Sequence, residues 1–137
     1  MTEKKIVGYT AGVFDLLHIG HINILRNAKG SCDFLIVGVT TDELALSEKG
    51  VKPEISFEDR IATIQALKFC DAAIPQDTYD KFELWKKLRF DVMFVGDDWY
   101  GKWQKWEEKF KEVGVKIVYF PHTPRITSTQ RRERLKK

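Results

Sequence analysis

This chain lacks several features that would quickly assign a protein to a class. Its 137 residues include two cysteines, Cys32 and Cys70, which do not have the C-x-x-C spacing of metal or redox motifs. We expect both to be buried thiols in a reducing compartment, with a disulfide as the alternative. The segment Met1–Lys5 precedes only a short apolar run, and no apolar run has the length of a membrane span. These absences predict a cytoplasmic protein with no signal peptide and no membrane partner.

An excess of charge of one sign is also missing. The formal net charge of +3 suits anionic small molecules, and it is too small and too dispersed to indicate a nucleic-acid partner. Neither G-x-G-x-x-G nor G-x-x-x-x-G-K-[ST] occurs, which argues against dinucleotide redox chemistry and P-loop chemistry. At this length a single domain over residues 1–137 is predicted.

Short apolar runs alternate with amphipathic segments along the chain. Strands are predicted at Ile6–Thr10, Phe34–Val39, Ala72–Ile74, Val92–Val95 and Val115–Phe120. Helices are predicted at Ile19–Lys29, Phe57–Phe69, Tyr79–Leu88, Trp103–Val113 and Thr127–Lys137, and the polar segment Thr41–Pro53 is predicted as a mobile loop. This alternation predicts an α/β fold: a single Rossmann-like, doubly wound domain with a five-stranded parallel sheet in the order 3-2-1-4-5.

That strand order has a consequence for ligand binding. In an open parallel sheet, ligands sit beyond the carboxyl ends of the strands, at the point where the strand order reverses. Here that point lies between the first and fourth strands. The segment Gly12–His21 follows the first strand, and Gly96–Trp99 follows the fourth. The two most unusual polar clusters of the sequence are therefore expected to converge on one crevice.

The first cluster has the chemistry of a phosphate site. His18 and His21 are spaced i, i+3 at the start of a predicted helix, which places both imidazoles on one face. Helix N-termini attract anions through unpaired N–H groups and the helix dipole. Gly12 forms the turn before them, and the N–H groups of Val13 and Phe14 can add donors. A metal-binding pair, or two ordinary surface histidines, are the alternatives.

Residues 12–21 read G-V-F-D-L-L-H-I-G-H, which resembles the G-x-F-D-x-x-H-x-G-H signature of cytidylyltransferases acting on glycerol 3-phosphate, phosphocholine and phosphoethanolamine. Residues 96–102 read G-D-D-W-Y-G-K and resemble the G-D-D-W-x-G-K run of that family. Residues 121–129 depart from the family's R-T-E-G-I-S-T-T motif, with His122, Pro124 and Arg125 in place of its arginine, glutamate and glycine. Residues 126–132 still fit the wider pattern I-S-S-T-x-x-R.

The resemblance implies an enzyme that transfers CMP from CTP to a small phosphorylated alcohol, with glycerol 3-phosphate favoured, and releases pyrophosphate. It also implies Mg²⁺ held mainly by nucleotide phosphates, no metal site of the protein's own, and a homodimer. The implied catalytic residues are His18, His21 and Lys49, with Lys52 competing for the place of Lys49. The implied nucleotide-binding residues are Gly12, Val13, Phe14, Gly96, Asp98, His122, Thr127, Ser128 and Arg132. The implied acceptor-binding residues are Arg60 and Lys68, which lie two turns apart on one predicted helix and have a solvated charged face as their alternative.

Other functions stay open at this point. Phosphoethanolamine, phosphocholine or another phosphorylated metabolite is an alternative acceptor, because the changed segment 122–125 can reshape either pocket. Adenylyl transfer from ATP is a second enzymatic hypothesis. A non-catalytic nucleotide-binding module is a third, since His122 replaces the motif arginine. Nucleic-acid binding through the basic C-terminal residues is a fourth, and no recognition motif accompanies it.

Overall fold

A computed structural model of the chain describes residues 5–96 and 104–120. Within them lie five parallel strands in the order β3-β2-β1-β4-β5, which confirms the predicted fold class and topology. The strands are β1 (Val7–Gly12), β2 (Phe34–Thr40), β3 (Ala72–Gln76), β4 (Val92–Gly96) and β5 (Lys116–Phe120). The helices are α1 (Ile19–Gly30), α2 (Asp42–Lys49), α3 (Phe57–Gln65), α4 (Lys81–Leu88) and α5 (Gln104–Glu112). The helix predicted over Thr127–Lys137 lies outside the described residues.

Helices cover both faces of the sheet. Side chains alternate along each strand, so apolar residues on both faces need a layer of helices to pack against. On one face, Ile36 packs with Leu84 of α4 and Phe110 of α5. On the other face, Leu35 packs with Leu25 of α1 and Ile64 of α3. Neighbouring residues of β2 thus contribute to opposite cores, which explains the continuous apolar run in its sequence. None of the helices in the described part of the chain is both long and apolar enough to cross a bilayer.

The prediction of a mobile loop over Thr41–Pro53 is wrong, because α2 fills most of it. The Thr41 hydroxyl accepts from the N–H of Leu44 at 3.2 Å, which caps the start of the helix. Gly50 ends it in the left-handed conformation at φ 78°, and its N–H donates to the carbonyl of Leu46. Only Ala45 of the helix is buried, so the apolar periodicity that identifies a helix is nearly absent.

The third helix is shorter than predicted, which separates two residues that were expected to share a face. It ends at Gln65, because the chain tightens into i→i+3 turns, with N–H bonds from Leu67 to Ile64 and from Cys70 to Leu67. Lys68 therefore lies beyond the helix, and its ammonium is 5.5 Å from the ring centroid of Phe69. The prediction that Arg60 and Lys68 lie on one helix face is wrong.

The sheet opens where the strand order reverses. β1 stays paired with β2 as far as Gly12 and Val39, whereas its backbone pairing with β4 covers only two residue pairs, the last being Tyr9 with Met93. One residue further, the Thr10 hydroxyl donates to the carbonyl of Phe94 at 3.0 Å. The carboxyl ends of β1 and β4 thus border the crevice that the topology predicts.

Candidate active site

Two histidines close the N-terminus of α1 by capping each other. His18 is the N-cap residue, and its Nδ1 accepts from the N–H of Gly20 at 3.0 Å. His21 lies in the first turn, and its Nδ1 accepts from the N–H of His18 at 3.2 Å. The ring centroids are 4.0 Å apart, so both imidazoles lie together as the i, i+3 spacing predicts. This arrangement is a capping box in which imidazoles replace the usual hydroxyl and carboxylate.

The cap defines which ring nitrogen carries the proton. A nitrogen that accepts a hydrogen bond is unprotonated, so in each neutral ring the proton resides on Nε2. Burial lowers the pKa of His21 to about 4, the positive charge of His18 adds to this effect, and the carboxylate of Asp15 opposes it. At neutral pH His21 is therefore an uncharged imidazole that presents one N–H donor.

The loop before α1 has strained backbone at two positions. Phe14 has φ 57° and Leu16 has φ 51°, in the left-handed region that residues with a side chain rarely adopt. The Phe14 ring turns back over the end of β1, where a Cβ on Gly12 would lie 3.1 Å from its Cζ. A side chain at Gly12 would therefore crowd the Phe14 ring. That ring is buried and makes an edge contact with the His21 ring, with 5.6 Å between the ring centroids.

Asp15 lies between the two strained residues and binds the connection between α2 and α3. Its Oδ2 accepts from the N–H of Glu54 at 2.9 Å, and its Oδ1 accepts from the N–H of Ile55 at 3.0 Å. Among residues 5–96 and 104–120, no group of three or more His, Cys, Asp and Glu could hold a metal ion. The loop carboxylate therefore orients backbone.

Arg60 is buried, at 2% exposure, contrary to the expectation of an acceptor-binding group. Its Nε donates to the carbonyl of Ile55 at 2.9 Å, and its Nη1 donates to the carbonyls of Val13 and Thr40, both at 2.7 Å. Its Nη2 pairs with Oδ1 of Asp42 at 2.5 Å. Four of the five guanidinium donors are therefore engaged within the protein, which makes a direct contact with a substrate phosphate the wrong role for this residue.

The remaining predicted residues divide into exposed groups and groups outside the described chain. Lys49 is exposed in the last turn of α2, Lys68 is exposed beyond α3, and Gly96 ends β4 beside the crevice. The predicted nucleotide-binding residues Asp98, His122, Thr127, Ser128 and Arg132 lie outside the described residues. The structure thus brings together the two histidines and the Gly12–Phe14 loop.

Sequence analysis missed Lys81, which is 8% exposed at the start of α4. Its ammonium is 5.3 Å from the ring centroid of Tyr79. Burial lowers the pKa of Lys81 to about 8, an effect that the carboxylate of Glu48 opposes. α4 follows the carboxyl end of β3, so this buried cation lies at the same edge of the sheet as the histidine pair. The only signal in the sequence is its place next to the cap residue Asp80, which many exposed lysines share.

The chain is similar to members of one protein family over most of its length. The model of the cytidylyltransferase-like family matches residues 9–135. A glycerol-3-phosphate cytidylyltransferase from Bacillus subtilis (strain 168) is 35% identical over 137 residues, covering 96% of this chain and 97% of that protein. An FAD synthase from Pyrococcus abyssi is 36% identical over 116 residues, covering 84% of this chain and 78% of that protein.

Similarity also extends to solved structures. The lipopolysaccharide core biosynthesis protein from Thermoplasma volcanium GSS1 superposes with a TM-score of 0.74 at 28% sequence identity, covering 88% of this chain and 98% of that one. The family match spans nearly the whole sequence, including the histidine pair, all of β4 and β1 from Tyr9 onward. The chain belongs to the cytidylyltransferase-like family of nucleotidyltransferase enzymes.

Proposed function

We propose that the protein transfers CMP from CTP to glycerol 3-phosphate, giving CDP-glycerol and pyrophosphate. The mutual cap of His18 and His21 is the observation that carries this proposal. It supplies two Nε2–H donors at a helix N-terminus, at the carboxyl end of β1. The similarity to the Bacillus subtilis glycerol-3-phosphate cytidylyltransferase supports the choice of CTP and of the acceptor.

The chemistry needs alignment and charge stabilisation more than a covalent intermediate. An oxygen of the acceptor phosphate attacks the α-phosphorus of CTP, and the bond from that phosphorus to the leaving pyrophosphate breaks. His18 and His21 donate from Nε2 to phosphate oxygens whose negative charge grows in the transition state. The N–H groups of Val13 and Phe14 add donors beside them. Because the pKa of His21 is about 4, that ring stabilises charge as a neutral donor.

Magnesium fits this site as a partner of the nucleotide. Mg²⁺ prefers phosphate oxygens and water to an all-protein cage, and it neutralises charge on the triphosphate. Asp15, the carboxylate of the loop, already accepts from the N–H groups of Glu54 and Ile55. Because both oxygens of Asp15 already have backbone partners, the site suits a Mg²⁺ ion that arrives bound to the triphosphate and is held mainly by its oxygens.

Lys81 is our candidate for binding the acceptor phosphate, in place of Arg60 and Lys68. It is a buried cation at the edge of the sheet where ligands bind, and burial has lowered its pKa to about 8. A lysine ammonium at this edge has the charge and the three N–H donors that suit a phosphate. We expect Lys81→Met to raise KM for the acceptor more than KM for CTP.

The test is a product screen by mass spectrometry. The purified protein is incubated with Mg²⁺, with CTP or ATP, and with glycerol 3-phosphate, phosphoethanolamine or phosphocholine in turn. We expect CDP-glycerol from CTP and glycerol 3-phosphate, and its rate of formation should be lower by about 100-fold or more with His21→Asn. Pyrophosphate release without any nucleotide–acceptor product would contradict the proposal.

Adenylyl transfer is the second candidate, favoured by the 36% identity to the Pyrococcus abyssi FAD synthase. The same screen with ATP and flavin mononucleotide separates the two. Formation of FAD, with no CDP-glycerol from the CTP arm, would replace the first proposal with the second.

A further inference from the structure

Arg60 is a buried charged residue of the carboxyl edge whose guanidinium has several partners within the protein. Its guanidinium contacts three carbonyls, from Val13, Thr40 and Ile55, and the carboxylate of Asp42. These acceptors come from the loop after β1, the end of β2, the start of α2 and the connection before α3. A single side chain thus joins four segments that meet at the crevice.

The contacts of Arg60 with Val13 and Ile55 form part of a closed ring of hydrogen bonds and backbone. The peptide groups of Ile55 are held on both sides: the N–H donates to Oδ1 of Asp15, and the carbonyl accepts from Nε of Arg60. Arg60 in turn donates to the carbonyl of Val13, two residues before Asp15. The circuit therefore runs from Val13 through Asp15, Ile55 and Arg60 and back to Val13.

This closed ring of hydrogen bonds and backbone encloses a strained part of the loop after β1. Phe14 lies inside the circuit at φ 57°, and Leu16 follows it at φ 51°. Such conformations persist only where the surroundings hold them, and they cluster at functional sites. The Phe14 ring touches the His21 ring, and the Asp15 carboxylate acts on the same imidazole. Any relaxation of the loop is therefore transmitted to His21.

We propose that Arg60 is a positioning residue for nucleotidyl transfer: with Asp15 and Ile55 it closes a ring that holds the loop Val13–Leu16 in the shape on which His21 depends. We call this circuit the Arg60 ring. Its kinetic consequences rest on the proposed function, whereas its effect on the His21 environment does not. Arg60 acts through the backbone that it holds.

The first test uses Arg60→Lys, which keeps the charge and removes the fork that reaches four acceptors at once. Arg26→Lys is the matched control, because Arg26 is exposed on α1 and donates to Asn23. Histidine-selective NMR titration reports the pKa of His21, which starts at about 4. We expect Arg60→Lys to raise the pKa of His21 by about one unit or more, since a loosened loop admits water.

Measuring kcat and KM of the same variant distinguishes a positioning role of Arg60 from a role in stability alone. At a temperature where the variant is folded, we expect kcat to fall roughly 10- to 100-fold, as a small misplacement of catalytic groups does, with KM for CTP nearly unchanged. Arg26→Lys should alter neither kcat nor the His21 titration. A lower melting temperature with an unchanged His21 titration and unchanged kcat would overturn the proposal.

A second variant covers the case in which Arg60→Lys does not fold. Asp42→Asn removes the negative charge that pairs with the guanidinium at 2.5 Å, and it thereby weakens the hold of Arg60 on the carbonyls of Val13 and Ile55 that close the ring. We therefore expect a shift of the His21 pKa in the same direction and of smaller size. An unchanged His21 titration in the folded Asp42→Asn protein would also overturn the proposal. If wild-type protein makes no CDP-glycerol, the proposed function fails, and the His21 titration still decides the role of Arg60.

Discussion

The two edges of the sheet handle polar groups in opposite ways. At the amino edge, an aspartate stands immediately before three of the strands, and each makes the same reciprocal pair of bonds with the neighbouring strand. Asp91, for example, donates its N–H to the carbonyl of Val7 at 2.7 Å, and its Oδ2 accepts from the N–H of Val7 at 2.9 Å. Asp33 pairs in this way with Ile6, and Asp71 with Leu35. These carboxylates satisfy backbone groups at little cost, close to solvent.

The carboxyl edge buries three of its charged side chains and has strained backbone. Arg60, Asp15 and Lys81 are each less than 9% exposed, and the left-handed residues Phe14 and Leu16 flank Asp15. In the described part of the chain, the one other non-glycine residue with positive φ is Arg89, where the conformation is the ordinary C-cap of α4. The contrast shows where the fold holds costly arrangements: at the edge of the sheet that carries the proposed site.

The largest expected effect is on the free energy of unfolding, and it is tested by removing one cation from each edge. Arg60→Met leaves Asp42, the buried carbonyl of Thr40 and the partly buried carbonyls of Val13 and Ile55 without their donor. We therefore expect a loss of about 3–5 kcal/mol in the free energy of unfolding. Lys29→Met breaks the pair with Asp71 at the amino edge, whose side chains are 30% and 29% exposed. That loss should be at most about 1 kcal/mol. Denaturant titration measures both, and equal losses would break the comparison.

The second effect is kinetic and concerns the histidine cap. Asparagine at position 18 or 21 offers a side-chain oxygen for the cap, and it lacks the Nε2–H donor of histidine. We expect His18→Asn and His21→Asn each to lower kcat about 100-fold or more while the melting temperature changes little. Asp71→Asn at the amino edge is the control and should leave kcat within a factor of about two. Full activity in either histidine variant would remove the basis of the proposed function.

The third effect is the pH dependence of stability. The pKa of His21 is about 4 in the folded protein and about 6.5 when exposed. As the pH falls from 6.5 to 4, the unfolded chain therefore binds a proton that the folded chain does not. Stability should decrease over this range by up to roughly 3 kcal/mol, and the loss is complete below pH 4.

His21→Asn isolates this contribution from that of the carboxylates. Urea titrations of wild type and variant at pH 7, 6, 5 and 4 should give a difference in unfolding free energy that shifts in favour of the variant as the pH falls. A difference that stays constant from pH 7 to 4 would show that His21 is not held neutral, and the carboxyl edge would lose one of its distinguishing features.

The sequence predicts the sheet well because its strands are short apolar runs buried on both faces, as in β2. It also predicts that His18 and His21 meet, since the i, i+3 spacing at a helix start is enough to place them. α2 was missed because tertiary contacts bury only one of its residues, Ala45. Its cap residues, Thr41 and Gly50, stand at the two ends of the helix, but the sequence between them lacks the apolar periodicity that indicates a helix.

The roles of the charged residues were harder to predict, and the reason is burial. Nothing local distinguishes Arg60, whose partners lie between 5 and 47 residues away along the chain, from the exposed Lys68. Lys81 has the same difficulty, because its low exposure depends on how α4 packs. A pattern of residue types shows that a cation is present, and only the packed structure shows whether it faces a ligand or holds the backbone.

The smallest expected effect distinguishes two exposed lysines of the carboxyl edge. Lys49 lies in the last turn of α2, a helix tied to the sheet through Asp42 and Arg60, whereas Lys52 follows Gly50 in the connection to α3. A cation carried on an anchored helix loses less freedom when it binds a phosphate than one on a loop. We expect Lys49→Ala to lower kcat/KM for CTP about tenfold, the effect of one charge-assisted contact, and Lys52→Ala to change it little. A larger loss in Lys52→Ala would assign the phosphate contact to the connection, and the anchoring of α2 by Arg60 would then have no part in binding the nucleotide.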